Sequence, residues 1–129
     1  MADPSFLIDS NICIYLLDGS SPEARARFEA LEPRAVATSA IVYAEVMLGV
    51  ASTRPEGERA AARLFDLVTV LPFDRAAASI YRHLRFRRGS FDRLIAAHAL
   101  ALDLTLITNN EGDFADIPGL RTENWTLPA

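Results

Sequence analysis

The chain has 129 residues, half of them hydrophobic, a formal net charge of −4 and a single cysteine, Cys13. That length makes one ordinary domain over residues 1–129 and can bury a core without disulfide or metal staples. One thiol excludes an internal disulfide, no apolar run approaches the roughly 20 residues of a membrane span, and the net acidity argues against non-specific nucleic-acid binding.

The expected elements alternate. Residues 5–8 form a short strand of β-formers and apolar residues. Ser10 or Asn11 caps a helix over 12–17, and Gly19 stops it. Ser21-Pro22-Glu23 starts a helix with a cap, a proline in the first turn and an acid near the positive end. It runs to about Leu31 and is ended by Pro33. A second strand over 35–38 follows, and Ser39 caps the helix that carries Glu45. Gly49 and residues 52–55 break that helix, and another spans about 56–66. A third strand covers 67–71, and Asp74 caps a helix to roughly Arg85. Gly89-Ser90 turns the chain into a helix from about Asp92 to just before Asp103. A fourth strand over 104–108 leads through a loop with Pro118-Gly119 to a short last strand within 121–125.

Strands separated by helices require crossovers, and crossovers give a parallel sheet covered on both faces. The expected class is therefore α/β, a three-layer α/β/α sandwich with a central, mostly parallel sheet of four or five strands. In such sheets ligands bind beyond the carboxyl ends of the strands. The start, residues 1–5, lacks the charge and apolar stretch of a signal peptide, so the cytoplasm is the default compartment.

Four acids stand in unlikely company. Asp9 closes the apolar run 6–8, Glu45 sits inside the apolar run 40–48, and Asp92 opens the run 94–99. Asp113 lies in the acidic loop 111–116, where Glu111 or Asp116 is an alternative to it. Burying an unpaired carboxylate costs several kcal/mol or forces its protonation. A hard divalent cation such as Mg²⁺ or Mn²⁺ removes that cost, because it prefers oxygen ligands. Topology brings Asp9 and Asp113 beyond the ends of the first and fourth strands, with Glu45 and Asp92 on helices able to face the same crevice. Each acid also has a plainer role. Asp9 can cap the first helix, Asp92 can be a favourable charge in a helix's first turn, and Asp113 can simply be solvated. Glu45 has no partner at helical spacing.

Other chemistries are excluded by composition. His83 and His98 are isolated and there is no second cysteine, so no zinc-type set exists. The glycines are scattered, without a phosphate-binding loop, and no serine sits in a Gly-x-Ser-x-Gly elbow. Cys13 reads as a small core residue, and His98 as a residue packed on its helix. Every basic residue is arginine, and Arg82, Arg85, Arg87 and Arg88 cluster before Asp92. Arginine's planar fork suits phosphate contacts, although a solvated helix face explains the cluster equally well.

Several stretches together resemble the PIN-domain ribonucleases, specifically the VapC toxins of type II toxin–antitoxin pairs. They are Leu7-Ile8-Asp9-Ser10-Asn11-Ile12, Ser39-Ala40-Ile41-Val42-Tyr43-Ala44-Glu45-Val46, Asp92-Arg93-Leu94-Ile95-Ala96-Ala97-His98-Ala99, and the segment from Leu106 through Asn109-Asn110 to Asp113-Phe114. The resemblance spans almost the whole chain. It implies a Mg²⁺- or Mn²⁺-dependent endoribonuclease that arrests translation by cutting RNA. It makes Asp9 and Asp92 principal metal ligands, Glu45 a residue that assists or orients the attacking water, and Asp113 the fourth acid. Asn11 and Thr108 match polar positions of the same pocket, and Asn110 stands where some relatives carry an acid. It further implies a homodimer and higher-order complexes with a cognate antitoxin that pushes a basic side chain toward the acids, with no membrane partner. The segment between Gly89 and Asp92 is shorter than in relatives, which bears on the placement of Asp92. Two other readings exist. A receiver-type signalling domain needs an acidic pair after the first strand and a lysine, and this chain has no lysine. A catalytically inactive PIN-like module would only bind RNA or protein, and the retained acids count against it.

Overall fold

The computed structural model describes residues 3–50, 55–84 and 91–128. Five strands form one sheet: β1 (Phe6–Ile8), β2 (Val36–Ser39), β3 (Thr69–Leu71), β4 (Thr105–Ile107) and β5 (Thr122–Glu123). Their order is β3-β2-β1-β4-β5, and every neighbouring pair is parallel. Six α-helices connect them: α1 (Ser10–Asp18), α2 (Pro22–Glu29), α3 (Ala40–Val50), α4 (Pro55–Leu67), α5 (Arg75–Tyr81) and α6 (Asp92–Leu102).

Right-handed crossovers decide which face each helix covers. The chain moves one way along the sheet from β1 to β3, so α1 to α4 share a face. It then jumps back across β1 to β4, which puts α5 and α6 on the other. Most helix contacts follow this division: α1 packs against α2, α3 and α4, α3 against α4, and α5 along α6, while α3 also touches α6. The central strands are largely buried on both sides, so most of their residues are apolar. Leu7 and Ile8 face Leu106 and Ile107 in register, all four fully buried. Trp125 closes one edge of this core against the edge of the Phe6 ring, centroids 5.5 Å apart.

Caps explain the boundaries. Asp9, rather than Ser10 or Asn11, is the N-cap of α1, its carboxylate accepting the Ile12 N–H at 3.0 Å. Helix α1 therefore begins two residues earlier than its apolar residues alone indicate, and left-handed Gly19 ends it. Ser21 and Asp74 cap α2 and α5 as expected. Ser39 Oγ accepts the Ile41 N–H at the start of α3. Gly49 does not break α3, which continues to Val50; a single glycine in a helix costs only about 1 kcal/mol. The expected break over 52–54 lies outside the described residues. Helix α5 ends at Tyr81, short of the expected Arg85. Arg85, Arg87, Arg88 and the short Gly89-Ser90 link to Asp92 also lie outside the described residues, whereas Arg82 is exposed at the end of α5.

Candidate active site

The reversal of strand order lies between β1 and β4, and there a crevice opens at the carboxyl ends of the strands. Asp9 follows β1 directly, its N–H bonded to the Ile107 carbonyl of β4 at 3.0 Å. Thr108 follows β4, and its N–H reaches Glu123 of β5. Helices α1 and α3 start at this end of the sheet. Helix α6 runs antiparallel to the strand it precedes, so its first turn returns to the same end. A pocket of about 100 Å³ results, lined by Asp9, Ser10, Asn11, Glu45, Asp92, Ile95, Thr108, Asn110 and Phe114. Three of the four expected acids and all three expected polar residues thus share one pocket.

Asp113 does not line it. A 3-10 turn over Glu111–Phe114 sends Phe114 inward, 3% exposed, and leaves Asp113 exposed. Asn110, at the start of that turn, lines the pocket instead. Neither alternative acid is free to replace Asp113. Both carboxylate oxygens of Asp116 accept from the single Nη2 of Arg93, at 2.9 and 3.2 Å, and exposed Glu111 accepts from Thr122. Arg93 is 2% exposed, and its Nη1 has no hydrogen-bond partner among the described residues.

Two of the pocket carboxylates, Asp9 and Glu45, are held by their own donors. Asp9 takes the Ile12 N–H and the Thr108 side chain. Glu45 takes the Ser10 hydroxyl at 2.7 Å, a partner from another helix that spacing along α3 does not reveal. Thr108 Oγ1 in turn accepts the Asn110 N–H. The hydroxyl hydrogens of Ser10 and Thr108 are therefore turned onto carboxylates, and among the described residues no basic side chain lines the pocket. The walls present lone pairs. Burial pushes the Asp9 carboxyl up from 3.8 to about 6; the Thr108 and Ile12 bonds pull it down, while the charges of Asp92 and Glu45 add to the rise. Capping and pocket lining are one and the same role for Asp9: its burial at the helix start is what exposes it to two like charges.

This donor set fits a hard divalent cation, which takes oxygen ligands and would offset both the desolvation and the repulsion. Among the described residues, however, no three Asp, Glu, His or Cys side chains stand close enough to form a ready-made set. The three acids line one pocket without forming a tight triad, Asp9 and Glu45 each drawn to its own donor. His98 takes no part. It is buried, bonded through Nδ1 to Ser39 Oγ at 2.8 Å and set edge-on to Phe73, and its burial lowers its pKa. Buried Cys13 sits in the core with its thiol pushed up by burial.

Residues not anticipated from the sequence include Ser10, as the holder of Glu45, and the pair Tyr15 and Asn109. Asn109 Oδ1 accepts from Asn11 at 3.1 Å, and its Nδ2 donates to the Tyr15 hydroxyl at 3.0 Å. The i,i+4 spacing of Asn11 and Tyr15 was the available signal, since it sets both on one face of α1.

Comparison with known proteins agrees with this geometry. The PIN domain family model matches residues 6–120. The tRNA(fMet)-specific endonuclease VapC of Shigella flexneri is 32% identical over 130 residues, spanning 94% of this chain and 98% of that protein. A crystal structure of VapBC2 from Rickettsia felis bound to a DNA fragment from their promoter matches with a TM-score of 0.83 and 29% identity, over 93% of this chain and 98% of that one. A toxin–antitoxin complex from Klebsiella pneumoniae matches with a TM-score of 0.73 and 33% identity, over 90% and 95%. The chain belongs to the PIN-domain family, and within it to the VapC proteins.

Proposed function

We propose that this chain is a metal-dependent endoribonuclease, the toxin of a type II toxin–antitoxin pair, which hydrolyses RNA phosphodiester bonds and so inhibits translation. The observation that carries the reading is the single acceptor-rich pocket in which Asp9, Glu45 and Asp92 meet at the β1/β4 switch point. Asp9 and Asp92 would hold Mg²⁺ or Mn²⁺, with Asn11, Thr108 and Asn110 lining the same space. A cation there would neutralise the carboxylates, activate water and offset charge on a phosphoryl oxygen. Glu45, oriented by Ser10, is placed to accept a proton from the attacking water. Thr108 holds Asp9 in its ionised form against the pull of burial. Exposed Asp113 stands three residues beyond Asn110, at the outer side of the same turn, and serves at most as a rim acid.

A cognate antitoxin has a place to lie. An apolar cleft of about 370 Å³ between α1, α3 and α4 is lined by Ile14, Leu17, Val46 and Val50 and reaches Glu45. A partner chain laid in it would be led to the pocket, where a basic side chain would meet the carboxylates. The matched structures include toxin–antitoxin complexes, and this chain would form homodimers within such a larger assembly. No helix among the described residues is long and apolar enough to cross a membrane.

The test is cleavage of RNA by the purified chain with Mg²⁺ or Mn²⁺, with EDTA, and with excess metal restored. Activity lost in EDTA and regained with the metal supports the reading. Undiminished cleavage in EDTA, or by the Asp9→Asn variant, refutes it.

A further inference from the structure

We propose that Tyr15 and Asn109 are positioning residues for the acidic pocket: they hold Asn11 with its side-chain carbonyl oxygen, not its N–H, turned to the bound cation and its water. The inference rests on the nuclease reading, because it concerns how the same pocket is completed.

Asn11 lines the pocket, while Asn109 and Tyr15 stand behind it. Asn109 follows Thr108 on the β4 side of the crevice, and Asn11 and Tyr15 lie on successive turns of α1 on the β1 side. The Asn109 amide bridges them. Its Nδ2 donates to Tyr15 Oη at 3.0 Å, and its Oδ1 accepts from Asn11 Nδ2 at 3.1 Å. Both ends of Asn109 are thereby engaged, so it acts through Asn11 and not on a ligand. A side-chain amide has two ends of opposite sense. With Asn11 Nδ2 drawn to Asn109, Oδ1 is the end left for the pocket. A neutral oxygen there joins the carboxylates of Asp9, Glu45 and Asp92 as an acceptor suited to a hard cation or its water shell. The reversed amide would aim an N–H at a cation, which is repulsive. The tyrosine hydroxyl either donates or accepts, so the sense of the relay is a property that substitution can read.

Aspartate at position 109 offers only acceptors. Asn11 must then donate to it, the tyrosine hydroxyl must donate as well, and the carbonyl of Asn11 stays in the pocket. The experiment compares wild type with Tyr15→Phe, Asn109→Ala and Asn109→Asp, measuring Mn²⁺ affinity by calorimetry and kcat and KM on RNA. Loss of an orienting partner behind a metal ligand costs on the order of 10-fold in affinity or rate. We expect Tyr15→Phe and Asn109→Ala to weaken Mn²⁺ binding and lower kcat by about that factor with KM unchanged, and Asn109→Asp to stay within about 3-fold of wild type. Wild-type Mn²⁺ affinity and kcat in both Tyr15→Phe and Asn109→Ala overturn the proposal. So does an Asn109→Asp variant as impaired as Asn109→Ala, since Asn11 would then present its N–H.

Side-chain amide ¹H–¹⁵N spectra, which need neither metal nor RNA, give a separate reading of the relay. Asn11 amide signals that ignore Tyr15→Phe count against it. Failure of the nuclease reading looks different: wild type then binds no Mn²⁺, and Asp9→Asn cleaves as wild type does. In that case the Asn11 spectra still decide whether the relay exists.

Discussion

Replacing Asp9 by Asn separates what the carboxylate does for chemistry from what it does to the fold. Asp9 is 8% exposed, and its pKa stands at about 6 against an ordinary 3.8. The folded state therefore holds the proton more tightly than the unfolded state does. Below the unfolded value both states are protonated and the difference vanishes. As pH rises from about 4 to about 6 the unfolded chain ionises first, and stability falls by up to about 3 kcal/mol, remaining there above pH 6. Asparagine caps a helix as well as aspartate and keeps an oxygen for the Ile12 N–H and Thr108. Its one loss is the favourable charge at the N-terminus of α1, about 0.3–1 kcal/mol. We expect Asp9→Asn to be more stable than wild type by about 2 kcal/mol at pH 7.5, or about 7 °C in Tm for a chain of this length. Near pH 4 the advantage disappears. Saturating Mn²⁺ reverses the order by raising the Tm of wild type alone, worth about 2.7 kcal/mol at 100 times Kd. Calorimetric melts of both proteins at pH 4, 6 and 7.5, with and without Mn²⁺, check this. A variant no more stable than wild type at pH 7.5, or one whose offset is the same at all three pH values, refutes the reasoning.

Other substitutions divide the site from its surroundings. Glu45→Gln and Asp92→Asn should each lower RNA cleavage by about 100-fold or more, whereas exposed Asp113→Asn should change it by less than about 3-fold; single-turnover assays at fixed metal distinguish them. Thr108→Val removes a bond that holds Asp9 ionised, so the acid limb of the kcat/KM profile should move to higher pH; an unmoved limb contradicts the role given to Thr108. Asp116→Ala leaves buried Arg93 with neither guanidinium nitrogen neutralised and should destabilise the fold by about 2–3 kcal/mol, less than for a fully buried pair. Arg93→Met removes the charge along with the partner and should cost less, as urea titration will show.

Much of this was legible in the sequence because burial leaves a pattern. Short, largely apolar runs bounded by polar residues, such as 6–8 and 104–107, mark strands covered on both faces. Asp9 closes one such strand and Asp92 opens the apolar helix α6 that leads into β4, so parallel topology could bring both to one end of the sheet. What the sequence concealed were relations between segments distant along the chain. Glu45 has no partner within α3 because its partner, Ser10, lies 35 residues away on α1. Asp113 and Asn110 are equally polar and near one another in sequence. Only the pitch of the 3-10 turn, which buries Phe114, shows that Asn110 faces the pocket. Helix boundaries erred where a side chain competes with periodicity: Asp9 extends α1 backward by capping it, and Gly49 is tolerated inside α3.

The same burial that weakens the fold makes the pocket receptive. Asp9 could have been stabilised by a guanidinium, and one is close in sequence: Arg93 immediately follows Asp92. The chain commits that guanidinium to Asp116 and sets Asp9 instead beside Glu45, held by the Ser10 hydroxyl, and Asp92. Two neutral donors, the Ile12 N–H and the Thr108 hydroxyl, lower the cost of its charge without cancelling it. A cation entering the pocket thus gains from every carboxylate it neutralises and, among the described residues, displaces no basic side chain lining it. By the same logic a basic side chain from a partner protein gains equally. On the proposed reading, one unbalanced cluster of oxygens would serve both catalysis with metal and inhibition by an antitoxin, and the two occupants would exclude each other.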